Sequence, residues 1–177
     1  MNCKHLLAAL CCSFLFACAD DSMTVKPAPE PVTRDDTGYF CGMIVEDHAG
    51  PKSQIFVAGE PDPLWFTTAR DGVAFQRLPE ETRPILAFYV SAVDLGGWDH
   101  PEHDLASMID AERAWFVIGS DRKGSMGAPE VIPFSEEPAA LAFAEQFGGE
   151  VRRLAEIPGD YILGASQSGS DPHAGHR

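Results

Sequence analysis

Positive charge is scarce in this chain. Thirteen Lys and Arg stand against 27 Asp and Glu, for a formal charge of −14. A surface with that deficit is repelled by phosphate backbones, so nucleic acid is excluded as a partner. The residue spacings of common enzyme sites are also missing: no GxSxG, HExxH, CxxC, Walker or GxGxxG pattern occurs. Carboxylates are abundant but form no recognisable acid/base pair. Nor is there an apolar run long enough to cross a bilayer as a helix. The longest, "LLAALCCSFLFA" at 6–17, falls short of the roughly 20 residues a span needs.

That short run is itself informative. It follows Lys4 and ends in Leu15-Phe16-Ala17-Cys18, the form of a bacterial lipobox, although Phe16 is bulkier than usual. Residues 1–17 are therefore expected to be a signal peptide, and Cys18 the lipidated first residue of the mature chain. Each buried methylene of an acyl chain contributes about 0.8 kcal/mol to membrane attachment. The expected location is the periplasm, with the lipid holding a soluble domain at a bacterial membrane.

Processing of this kind leaves few thiols. Of the five cysteines, Cys3, Cys11 and Cys12 leave with the signal, Cys18 carries lipid, and Cys41 alone stays a thiol. No internal disulfide and no dithiol redox pair can then form. A single thiol in an oxidising compartment is expected to be buried or occupied by a metal. Loss of Lys4 makes the chain more acidic still, at −15.

Residues 18–37 are proline-rich and charged, and read as a flexible tether behind the lipidated cysteine. Residues 165–177 are rich in Gly, Ser and His and read as a disordered tail. Its His173 and His176 offer at most weak metal binding.

Between these ends lies an internal repeat. "IFVAG" at 55–59 resembles "WFVIG" at 115–119, an offset of 60. Phe66-Thr67 matches Phe134-Ser135, and Ala74-Phe75 matches Ala142-Phe143, at an offset of 68. The second copy thus carries eight extra residues, within "SDRKGSMGAPE". Apolar runs rich in β-branched and aromatic residues predict strands. Thr67 and Ser135 are expected as helix N-caps. The helices are expected to present Ala69, Val73, Ala74 and Phe75 in one copy, and Leu141, Ala142 and Phe143 in the other. Final strands are expected over 84–90 and 150–157. The predicted fold is α+β, with two related ββαβ halves at 38–95 and 96–164.

Cys41 and Met43 sit in "GYFCGMIVEDHAGPK". On a strand, residues two apart share a face, so thiolate and thioether would form a soft pair suited to Cu(I). Buried Cys and Met are also ordinary core residues, and spacing alone leaves both readings open. Met126 lies in the inserted segment, between Gly124 and Gly127. Glycine-rich surroundings make poor core, so Met126 is either a further sulfur donor or an incidental loop residue. His48, in a turn, is either an exposed side chain or an additional ligand. His100 and His103 in "DHPEHD" read as a solvated loop.

Taken together, the lipobox, "YFCGMIVEDHAGPKSQIF", "PLWFTTARDGVAFQ" and "GSDRKGSMGAPEVIPF" resemble the NosL family of copper-binding accessory lipoproteins of nitrous oxide reductase assembly. The resemblance runs from about residue 38 to 157. It implies a periplasmic Cu(I) metallochaperone with two ββαβ halves, an arrangement seen in part in organomercurial lyase. Apo nitrous oxide reductase and a membrane-bound ABC-type assembly complex would be its partners. By motif, the family's metal ligands fall on Cys41, Met43 and Met126. Whether Met43 or His48 completes the set stays open. No enzyme activity is expected, because lyase-type cleavage of a carbon–metal bond calls for cooperating thiols. The alternative is a structural or interaction lipoprotein of the cell envelope that binds no metal.

Overall fold

Five consecutive buried residues, SQIFV, form the first strand, β1 (Ser53–Val57). A strand buried at every position must be covered on both faces. The computed structural model, which describes residues 25–98, 105–125 and 127–164, shows how. Ile55 and Val57 point into the main core, while Phe56 joins a second cluster with Val45, Trp65, Ala87, Tyr89 and Met108. The expectations at Cys18, His100, His103, Met126, His173 and His176 lie outside the described residues.

The first half continues with β2 (Leu64–Phe66), α1 (Ala69–Gln76) and β3 (Ile85–Ser91). A short helix, α2 (Val93–Gly96), leads on to β4 (Met108–Asp110). The second half is β5 (Trp115–Lys123), β6 (Pro129–Phe134), α3 (Glu137–Phe147) and β7 (Glu150–Arg152), followed by α4 (Gly159–Leu163). The sheets are ordered β2-β1-β3-β4 and β6-β5-β7, with every pairing antiparallel. The opening strand of each ββαβ unit is thus flanked by the other two, and the predicted fold class holds. β4, from the beginning of the second expected half, adds to the first sheet.

One core serves both sheets. Ile55, Phe66, Phe88 and Val90 from the first meet Phe116, Ile118 and Val131 from the second, around Val73 and Phe75 of α1. Each such side chain, fully buried, contributes about 1.5–3 kcal/mol. Gly72 lets α1 sit directly on β1, because a Cβ there would collide with the Ser53 side chain.

Several local expectations are corrected. The α1 cap is Thr68, whose Oγ1 accepts from Asp71 N at 3.0 Å; Thr67 lies between β2 and this cap and is buried. The α3 cap position is Glu136, and the donors there are taken by the Asp94 carboxylate, which accepts from Ser135 N, Ser135 Oγ and Glu136 N. A later helix start rotates the buried face by about 100° per residue. Ala140 with Phe143 and Ala144 faces inward, and Leu141 is 54% exposed. The last strand stops at Arg152, because Arg153 N donates to Glu156 Oε2 and residues Leu154–Glu156 turn into a 3-10 helix. The inserted residues of the second copy partly prolong β5, which runs to Lys123.

The tether expectation is also revised from residue 26 onward. Glu30 and Gln54 exchange two hydrogen bonds, at 2.9 and 2.8 Å, and Tyr89 OH donates to Pro27 O at 2.6 Å. Val32 packs on the Phe56 cluster. This strap covers the second face of β1 and lets the buried Gln54 meet its hydrogen-bonding needs.

Candidate functional site

Cys41 lies at the tip of a tight reversal rather than on a strand. Val45 N donates to Asp36 O, Gly38 N to Met43 O and Gly42 N to Gly38 O, at 2.9, 2.8 and 2.7 Å. Gly42 has φ +66°, a conformation that favours glycine and breaks any pleat between Cys41 and Met43. The shared-face argument for these two residues is therefore wrong in its geometry. What fixes Met43 is its backbone carbonyl, which closes the turn, while its side chain is half-buried.

The reversal docks on the edge of the first sheet. Tyr39 N donates to Trp65 O at 2.7 Å, and Gly38 bridges to Trp65 in parallel. Cys41 Sγ consequently meets Thr67 Oγ1 at 3.6 Å. Gly38 makes room for the sulfur: a Cβ there would lie 2.7 Å from Sγ and 2.9 Å from Thr67 Cγ2. The thiol is free and half-buried, held against a wall on one side. Tyr39 and Phe40, 51% and 48% exposed, cap the core beside it. Their rings rest on buried Phe75 and Phe66, with centroids 5.4 and 5.3 Å apart.

His48 ends the 3-10 helix Val45–Asp47 and is half-buried. The next two carbonyls, of Ala49 and Gly50, accept from the buried Lys52 Nζ at 3.1 and 2.7 Å. Burial pushes the Lys52 ammonium down to about 8, partly offset by the nearby charge of Glu130. Among the described residues, no group of three or more His, Cys, Asp and Glu stands ready to hold a metal. The donor type fixed in place here is a single thiol, at Cys41, whose side chain meets Thr67 Oγ1. A lone thiol is a soft donor, and departs from the four-ligand structural zinc pattern.

After β5, Gly124 N donates to Ala128 O and Gly127 N to Gly124 O, both at 2.9 Å. Just beyond stands Glu130, a residue passed over in the sequence because a lone carboxylate heading an apolar strand gives no pattern. It is 2% exposed. Its Oε1 accepts from Val131 N and from Arg70 N in α1, each at 2.9 Å. Burial pushes this carboxyl up to about 7, against those two N–H groups and Lys52, while Asp71 pushes it further up.

The family model described as NosL matches residues 28–162 of this chain. Over 173 residues the chain is 39% identical to a protein of Achromobacter cycloclastes named copper-binding lipoprotein NosL, covering 97% of this chain and 88% of that one. A protein of Stutzerimonas stutzeri with the same name is 33% identical over 165 residues, covering 89% and 84%. The crystal structure of the copper chaperone NosL from Shewanella denitrificans superposes with a TM-score of 0.69 at 31% identity. That match covers 76% of this chain and 97% of the other.

Proposed function

The chain belongs to the NosL family, and from that premise we propose that it is a copper-binding lipoprotein of the cell envelope, a chaperone that carries Cu(I). It delivers the ion for assembly of the copper centres of nitrous oxide reductase. It is anchored through Cys18 on the periplasmic side of a membrane and works beside a membrane-bound ABC-type complex. It acts as a carrier and not as an enzyme.

The observation that carries this reading is the Cys41 thiol, half-buried against Thr67 over the space left by Gly38. Binding breaks the Sγ–H bond, releases the proton to solvent and forms a Cu–S bond, with no change in oxidation state. The thiolate supplies most of the affinity. Thioethers carry no proton, so Met126 and Met43 donate at any pH; His48 competes with Met43 for the last position. A site with two or three soft ligands, open on one side, passes its ion by ligand exchange. A closed four-ligand cage would retain it.

Transfer is the test. Full-length protein loaded with Cu(I) is mixed anaerobically with apo nitrous oxide reductase, and copper is measured in each after separation. Copper should move to the reductase from wild type and not from Cys41→Ser. No movement, or equal delivery by the serine variant, rejects the delivery role. Thiol labelling excludes the rival interaction lipoprotein if Cu(I) protects a reactive Cys41. An inert thiol, indifferent to Cu(I), would favour that rival. Mass spectrometry of membrane-extracted protein should find acyl chains on Cys18, and Cys18→Ala should release the domain.

A further inference from the structure

We propose that the strap, residues 26–39, orients the protein on its membrane. It ties the lipid anchor to the β4 edge of the first sheet and holds the Cys41 thiol at the opposite edge, turned away from lipid. The inference rests on reading Cys18 as the anchor.

Four residues in one row across the sheet carry the argument. Asp110 of β4 stands opposite Tyr89 of β3, Tyr89 opposite Gln54 of β1, and Gln54 opposite Trp65 of β2. Residues directly opposite one another share a face, and the strap meets these four in chain order. Lys26 Nζ pairs with Asp110 Oδ2 at 2.5 Å, and its ammonium lies 5.4 Å from the centre of the Tyr89 ring. Tyr89 OH donates to Pro27 O, Glu30 and Gln54 exchange their two hydrogen bonds, and Tyr39 N donates to Trp65 O. The chain therefore crosses the sheet at right angles to the strands, from one edge to the other. Beyond β2, Gly38 bridges to Trp65 in parallel, so the reversal bearing Cys41 adds one more position at that edge. Four strand spacings, about 19 Å, separate it from β4.

Tether length decides which edge meets the membrane. Seven residue steps join Cys18 to Val25, a reach of at most about 25 Å. A folded domain of this length is roughly 35–40 Å across. The lipid therefore keeps the β4 edge close to the membrane surface. Without the strap, the chain would first join the fold near Gly38, three residues before Cys41. Its reach of roughly 70 Å would then favour no edge.

Covering the sheet does not account for the whole path. Glu30 and Val32 serve the outer face over β1. The Lys26–Asp110 pair lies at the rim and is partly exposed, where an ion pair adds little stability. What that pair fixes is the point at which the tether leaves the fold.

The test places lipidated full-length protein on phosphatidylethanolamine/phosphatidylglycerol vesicles that carry an acceptor dye on a headgroup. Energy transfer is read from a donor on Cys41, or on Glu112→Cys in a Cys41→Ser background. Glu112 is exposed and lies two residues beyond Asp110. Transfer should be larger from position 112 than from Cys41. Inserting about 20 Gly/Ser residues after Ala19 makes the tether longer than the domain is wide and should abolish the difference. Gln54→Ala with Tyr89→Phe, which frees the strap, should abolish it too; if that double variant does not fold, the insertion carries the test. Equal transfer with the native tether, or larger transfer from Cys41, overturns the inference. A difference that survives the insertion, or survives in the folded double variant, overturns it as well, since the domain would then orient through its own contacts with lipid. Protein that leaves the vesicles, with no acyl chain found on Cys18, removes the anchor reading and the inference with it.

Discussion

Cys41 occupies the space that a side chain on Gly38 would fill, with Sγ lying 2.7 Å from where that Cβ would stand. Both residues lie in one turn, which Gly42 N closes by donating to Gly38 O at 2.7 Å. Sulfur position and backbone path are therefore set together, and Thr67 holds the sulfur from the sheet side.

Gly38→Ala tests that coupling directly. The added methyl meets both Sγ and Thr67 Cγ2, and overpacking of this kind costs about 1–3 kcal/mol. The expected outcome is a protein that folds, with a lower denaturant midpoint and Cu(I) affinity reduced about tenfold or more. Unchanged affinity would mean that the sulfur position is not set by this cradle.

Stability should depend on pH through Glu130 and Lys52. The Glu130 carboxyl is pushed from 4.5 up to about 7, so between those values the folded chain binds more protons than the unfolded one. Its contribution is full below pH 4.5 and declines as pH rises toward 7. Lys52, pushed from 10.5 down to about 8, has the opposite sign, and stability recovers as pH rises from 8 toward 10.5. The charged groups facing Glu130 are Lys52 ahead of β1 and Asp71 of α1, while Arg70 meets it through its backbone N–H. Glu130→Gln should match wild type near pH 4 and exceed it near pH 8, by on the order of 3 kcal/mol. Parallel urea unfolding curves across this range measure the gap, and a constant gap would contradict the assignment.

Thr68→Ala should cost about 1 kcal/mol, because the Asp71 N–H then loses its acceptor. Chemical denaturation reads this directly. A negligible loss would return the cap to Thr67.

The repeat was legible in the sequence because its strands and helices keep their apolar pattern at fixed offsets. The ββαβ order followed from that pattern alone. Cap positions slipped by one residue because Thr67-Thr68 and Ser135-Glu136 each offer adjacent candidates. What decides between them is the pairing of Phe66 with Ser53 and the reach of Asp94 from α2, contacts far apart in sequence. Cys41 and Met43 stand out in the sequence by their residue types, but Gly42 in a left-handed conformation replaces the strand supposed to align them. The strap escaped notice because Glu30 finds its partner, Gln54, 24 residues away. Glu130 escaped because only the folded chain brings it to Arg70.

The most direct measurement of the central claim is an anaerobic Cu(I) titration of the full-length chain against a competing chelator, run beside Cys41→Ser. Wild type should take up one equivalent per chain in competition with the chelator, and the serine variant should retain no tight site. Equal affinity and stoichiometry in the two proteins would contradict the account.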